Sequence, residues 1–176
     1  MRGALNLVYK ASGLLAGFFL VAIAILSLLQ VAGRIVGFTA HSFDEFAGYC
    51  MAASSFLGLA YTFRANGHIR MTLLLNHVSG TARRALSIGA LGLGALLSGY
   101  FAWWALDMVW TSYVLNDVSQ GLVPVRLWIP QSGMAAGLAV MLVAMLDDLV
   151  LALRGGTPSF QAAAELKAVR ILRFEG

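Results

Sequence analysis

The sequence predicts an all-α membrane protein: four transmembrane helices with both termini cytoplasmic, a short interfacial helix between the second and third spans, and an amphipathic C-terminal tail. Three observations carry that expectation. First, four runs hold no charged residue, Ala11–Gly33, Phe46–Phe63, Ala85–Leu106 and Leu127–Leu146, and a helix of about 20 mostly apolar residues crosses the hydrocarbon layer. Second, 60% of the 176 residues are hydrophobic and only 11% are charged, with a mean hydropathy of +0.81. A water-soluble fold would have to expose more apolar surface than water tolerates. Third, the cations are segregated. With the amino terminus inside, Arg2, Lys10, Arg64, Arg70, Arg83, Arg84, Arg154, Lys167, Arg170 and Arg173 fall on the inner side, and only Arg34 and Arg126 on the outer. The positive-inside rule reads that bias as orientation. The aromatic residues agree, because Trp103, Trp104, Trp110, Tyr113 and Trp128 fall at the outer boundary and Tyr9 and Tyr61 at the inner one, where amphipathic rings prefer to sit.

The first span, 11–33, follows Arg2 and Lys10 as the core of a signal peptide would, but its apolar run is long and no small-residue cleavage site follows it. It predicts an uncleaved signal-anchor helix. After an outer turn over Arg34–His41, Ser42 and Glu45 have the spacing of a capping box that opens the second span, 43–63. Asp44 and Glu45 also stand at the positive end of that helix dipole, and the pair serves either the helix start or a docking contact. Arg64 meets the negative end of the same helix, and Asn66-Gly67 supplies a left-handed stop. Thr72 then caps Leu73–Val78, a run too short to span and flanked by Arg70 and by Arg83 with Arg84. Such an element lies along the inner interface.

Thr81 is the expected cap of the third span, 83–110. This span is rich in small residues at four-residue spacing: Ala85 with Gly89, Ala90 with Gly94 and Ser98, and Ala95 with Gly99. Gly13 with Gly17, Ser54 with Gly58, and Gly133 with Gly137 repeat the pattern on the other spans. Rows of this kind let helices approach closely where lipid gives them no hydrophobic reason to associate, and some of that packing is expected against another subunit. Thr111–Arg126 is a polar outer loop long enough to bear on a partner. Pro130 belongs in the first turn of the fourth span, 128–153, where its missing N–H is not needed. The spans and their short connections form one membrane domain, 1–154. In the tail, 155–176, Lys167, Arg170 and Arg173 recur opposite Leu166, Val169 and Leu172.

The chemistry available is sparse. No span carries a Lys, Arg, His, Asp or Glu near its centre, and a proton relay through the bilayer needs such a group. His41, His68 and His77 lie in connections at different membrane faces, so no two can serve as axial ligands to one haem. No metalloprotease, nucleophile-elbow or phosphate-loop motif is present. No catalytic residue, cofactor or metal is expected. Cys50 stands alone within the second span. The net charge of +4 points to anionic lipid headgroups, not nucleic acid. Asp147 and Asp148, at the carboxyl end of the fourth span, oppose its dipole. They either pair with Arg64, Arg70, Arg83 or Arg84 or stay solvated at headgroup level.

Asp44-Glu45-Phe46-Ala47, Phe56-Leu57-Gly58-Leu59-Ala60-Tyr61 and Gly67-His68-Ile69-Arg70-Met71 together resemble the small membrane subunit of the tripartite ATP-independent periplasmic (TRAP) transporters, the DctQ-like component. Leu127-Trp128-Ile129-Pro130-Gln131, Gly137-Leu138-Ala139 and Asp147-Asp148-Leu149-Val150 are similar to the last helix of that family. The likeness runs from Leu14 to Phe160. It implies a non-enzymatic scaffold subunit in the bacterial inner membrane. In such systems a periplasmic, DctP-like solute-binding protein captures an organic acid. A large, DctM-like membrane subunit then moves it by a sodium-coupled elevator motion, braced by the small subunit. Asp44, Glu45, Arg64, His68, Arg70, Gly94 and Pro130 are the expected partner contacts, Glu45, His68 and Arg70 among them on this resemblance, and the dipole reading makes Asp147, Asp148, Arg83 and Arg84 the expected structural ion pairs. Two other readings stand beside it. A self-sufficient multidrug or ion transporter would want an acidic residue in the first span, which has none. A haem- or quinone-binding anchor would want facing histidines.

Overall fold

A computed structural model of the chain describes residues 2–37, 42–64 and 81–155. Four helices account for nearly all of them: α1 (Arg2–Val36), α2 (Phe43–Arg64), α3 (Thr81–Val114) and α4 (Trp128–Leu153). Each is long and apolar enough to cross a membrane. Among the described residues the extended structure is limited to one antiparallel bridge, Val118 with Arg126. The expected interfacial run Leu73–Val78, with its cap Thr72 and the stop at Asn66-Gly67, lies outside the described residues, as does the tail beyond Gly155.

Helices α2 and α4 start and stop within a residue of where hydropathy and punctuation put the second and fourth spans. Helices α1 and α3 are longer, at 35 and 34 residues. Loss of charge marks only the part of a helix that needs lipid; nothing at Asn6, Lys10 or Thr111 breaks the backbone, so the helix continues past it. Each long helix ends at a left-handed residue. Gly37 has φ +79° after α1, and Asn116 has φ +53° after α3. At the latter, Asn116 N–H donates to Tyr113 O (3.3 Å) and Asp117 N–H to Ser112 O (3.0 Å), a Schellman stop with asparagine in the glycine position. At 1.5 Å per residue these helices reach about 50 Å. That exceeds the ~30 Å hydrocarbon layer by more than a tilt of up to ~40° absorbs, so their ends project into the interface.

Packing is sequential in space but not in chain order. Helix α1 lies on α2, α2 on α4 and α4 on α3, while α1 meets α4 only slightly. The result is an open row, α1-α2-α4-α3, and not a closed ring. Tyr9 from the start of α1, Phe63 from the end of α2 and Ala152 from the end of α4 share one core cluster, so the start of α1 and the end of α4 are at the same end of the row.

The core is rich in alanine beside a few larger side chains such as Tyr9, Phe63 and Leu91. Ala53, Ala60, Ala102, Ala135 and Ala144 are buried, while Leu14, Phe18, Ile35 and Trp103 are more than 60% exposed. That reverses the distribution of a water-soluble domain, and it suits a solvent of lipid tails, in which helices associate by close van der Waals packing and interhelical hydrogen bonds. Both occur here. The hydroxyl of Ser12 donates to Leu57 O at 2.5 Å and that of Ser54 to Ala16 O at 2.8 Å, joining α1 to α2. Gly137 presses α4 onto the backbone of α2 at Phe56 and Leu57.

Candidate functional site

At one end of the helices, the start of α2 is locked to the loop between α3 and α4. Ser42 supplies the carbonyl that accepts the Phe46 N–H at 3.1 Å, as a cap residue does, but its φ is +62° where a cap is normally extended. Its hydroxyl accepts the Val123 N–H at 3.3 Å. The expected capping box is therefore replaced by a bond across the fold. Glu45, half-buried, accepts a hydrogen bond from the Tyr49 hydroxyl one turn later at 2.5 Å, and its carboxylate fills the space where a side chain at Gly121 would stand. Asp44 beside it is exposed.

The loop itself is folded, not merely polar. Ser119 N–H donates to Val125 O (2.8 Å) and Leu127 N–H to Asp117 O (3.0 Å). The buried Ser119 hydroxyl accepts the Val125 N–H (3.2 Å) and donates to Val123 O (3.4 Å). Tyr113 and Trp128 meet edge to face, 5.7 Å between centroids, and tie the end of α3 to the start of α4. Pro130 stands in the first turn of α4, half-buried. The start of α2 and the hydrogen-bonded loop thus form a platform that displays Asp44, Leu115, Val118 and Leu122.

At the opposite end, Arg84 closes α4. Its guanidinium donates to Leu153 O at 3.2 Å and lies 3.5 Å from Ala152 O, a cation placed on the last carbonyls and negative dipole of a helix end. Gly155, at φ +81°, completes that end by donating to Ala152 O at 3.2 Å. Asp148 is 1% exposed, which removes the expectation that it is solvated at headgroup level; Asp147 is half-buried. Of the four cations expected to face this pair, Arg84 is directed to the carbonyls. Arg64 and Arg83 stand in α2 and α3 with side chains outside the described residues, and Arg70 and His68 lie outside them altogether.

Gly94, expected on a partner face, packs within the chain: a side chain there would meet the Met145 sulfur at 2.9 Å. Sequence reading missed the Glu45–Tyr49 pair, for which the four-residue spacing on one helix face was the available signal. It also missed the Ser42–Val123 bond, which joins residues too far apart in sequence for any local signal. Among the described residues no group of three His, Cys, Asp or Glu side chains converges as metal ligands would, and α1 and α3 each present a long apolar face covered by no other helix of the row.

Comparison with known proteins gives one clear result. No curated protein and no solved structure matches the chain. A family does, described as "Tripartite ATP-independent periplasmic transporters, DctQ component", over residues 23–155. The matched region begins inside α1 and runs to the glycine that ends α4, taking in the platform and most of the helical row, and the chain therefore belongs to the DctQ family, the small membrane component of the TRAP transporters.

Proposed function

We propose that this chain is the static brace of its transporter: it holds the large elevator-type permease subunit in the bacterial inner membrane and helps dock the periplasmic solute-binding protein during sodium-coupled organic acid uptake. Both termini are cytoplasmic in this reading, so the platform of α2 and the α3–α4 loop faces the periplasm. The open row carries the proposal. Four helices that leave both edges unpartnered suit a wall for another membrane protein better than a complete carrier. No described span holds a Lys, Arg, His, Asp or Glu at its centre, which supports a role without cargo. Asp44, Glu45 and Pro130 belong to the outer docking side, and Arg64, His68 and Arg70 to the inner contact with the large subunit. Buried Asp148 belongs to an ion pair with an inner cation, Arg83 among the candidates.

Reconstitution tests the reading. Liposomes with this chain alone are expected to show no sodium-driven uptake of an organic acid. Liposomes with the chain, the large subunit and the solute-binding protein are expected to show it. In mild detergent the chain should co-purify with the large subunit without an absorbing cofactor. Uptake by the chain alone would refute the proposal.

A further inference from the structure

We propose that the cleft between α2 and α3 is a binding site for one acyl chain of a membrane phospholipid. The two helices do not pack on each other to any extent; both pack on α4. A cleft of 710 Å³ remains, open to one side and floored by α4. Phe56 and Leu59 form one wall, Leu97, Phe101 and Trp104 the other, and methionines of α4 the base. Its one hydroxyl, that of Ser98, already donates to the Met145 sulfur at 3.4 Å, and no charged side chain lines it. The site therefore selects hydrocarbon and offers a polar ligand little.

Length and lining choose a chain over a helix. From Gly94 to Met108 the wall runs about 21 Å along α3, against a leaflet depth of about 15 Å, half the ~30 Å hydrocarbon layer. It reaches from mid-span to Trp104, a residue type that sits at headgroup level. A docking helix would need small residues for close approach. The small residues of this lining are already used within the chain, Gly94 and Ser98 against Met145 and Ala105 in the buried cluster with Ala135 and Leu138. What faces the cleft instead are bulky, flexible groups, Met108, Met134, Met141 and Met145 among them, and thioether side chains adapt to a mobile apolar occupant.

The proposal needs only that the helices span a bilayer; it does not rest on the bracing role. The test places the full chain in lipid nanodiscs containing a phosphatidylethanolamine with a diazirine on its acyl chain, first alone and then with the co-purified large subunit. Crosslinks mapped by mass spectrometry are expected to concentrate on Met134, Leu138 and Met145 in both preparations, above the more exposed Leu14 and Phe18 of α1. Leu97→Trp, and independently Ser98→Leu, should reduce floor labelling several-fold and leave labelling of α1 and the thermal midpoint unchanged. Labelling spread in proportion to exposure, or untouched by both substitutions, overturns the site. So does loss of floor labelling when the large subunit is added, which would place a protein helix in the cleft.

Discussion

Gly137 sets the distance between α4 and α2. A Cβ there would overlap the Phe56 carbonyl carbon and lie 2.6 Å from its oxygen and 2.7 Å from the Leu57 nitrogen, and helix backbone cannot rotate aside. Gly137→Ala should therefore destabilise the chain by about 1–3 kcal/mol, the usual cost of overpacking, seen as a lower thermal midpoint in detergent. Gly89→Ala, where the added carbon meets nothing within 4 Å, should instead gain about 0.5–1 kcal/mol from helix propensity. Equal shifts in the two variants would contradict the close approach. Gly94 stands between these cases, since its neighbour is the end of a flexible Met145 side chain. Gly94→Leu consequently disturbs the chain's own fold, and loss of a partner in that variant reports on folding as well as on contact. Asp148 is the other decisive residue. A carboxylate 1% exposed requires a counter-charge or several donors, and stripping one partner from a buried pair costs about 3–5 kcal/mol. Asp148→Ala should lose stability on that scale in thermal unfolding, and Asp147→Ala, half-buried, distinctly less; equal effects would remove the ion pair.

Among the elements, helix ends divide what the sequence revealed from what it hid. Trp128 as the start of α4 was legible because a proline is tolerated in a first turn, and the end of α2 because charge returns at Arg64. The starts and ends of α1 and α3 were not, because hydropathy falls several residues before the helical backbone stops, and the stop after α3 is an asparagine. The loop between α3 and α4 read as polar connection; its attachment to α2 joins residues 81 positions apart, and no local pattern encodes it. That attachment gives a prediction at this scale. The Val123 amide has the Ser42 hydroxyl as its acceptor, so Ser42→Ala should accelerate hydrogen exchange at Val123, while exchange at Ser119, bonded within the loop to Val125 O, stays slow. Tyr49→Phe should loosen Glu45 and with it the seat of Gly121, raising exchange across residues 119–125. Unchanged exchange in both variants would mean that the loop holds its position without α2.

For the molecule as a whole, composition alone shows why lipid is its solvent, and the four uncharged runs supply the four spans. The order of the helices was not legible. Small residues at four-residue spacing occur on every span, and they announce close packing without naming the neighbour; only the coordinates show that Gly133 and Gly137 meet α2 while Gly17 and Gly89 meet nothing. The open row has an energetic consequence. Helix α1 rests almost entirely on α2, through two serine hydroxyls, Ala16 and Phe19 beside Ala53 and Leu57, and Tyr9 beside Phe63, with little contact to any other helix of the row, and interhelical bonds of this kind are each worth about 1 kcal/mol in a membrane. It should be the first helix to open in the isolated chain, so that proteolysis and exchange begin there. A partner that binds only the intact row adds stability by mass action, about 2.7 kcal/mol at a hundredfold excess over its Kd. In complex with the large subunit, the chain should therefore show a higher thermal midpoint, with the gain in amide protection concentrated on α1 if that edge is the covered one and on α3 if the other is. A complex that forms without raising the midpoint or protecting either edge would show that the large subunit grips something other than the row, and the platform of α2 and the α3–α4 loop would then be the contact to pursue.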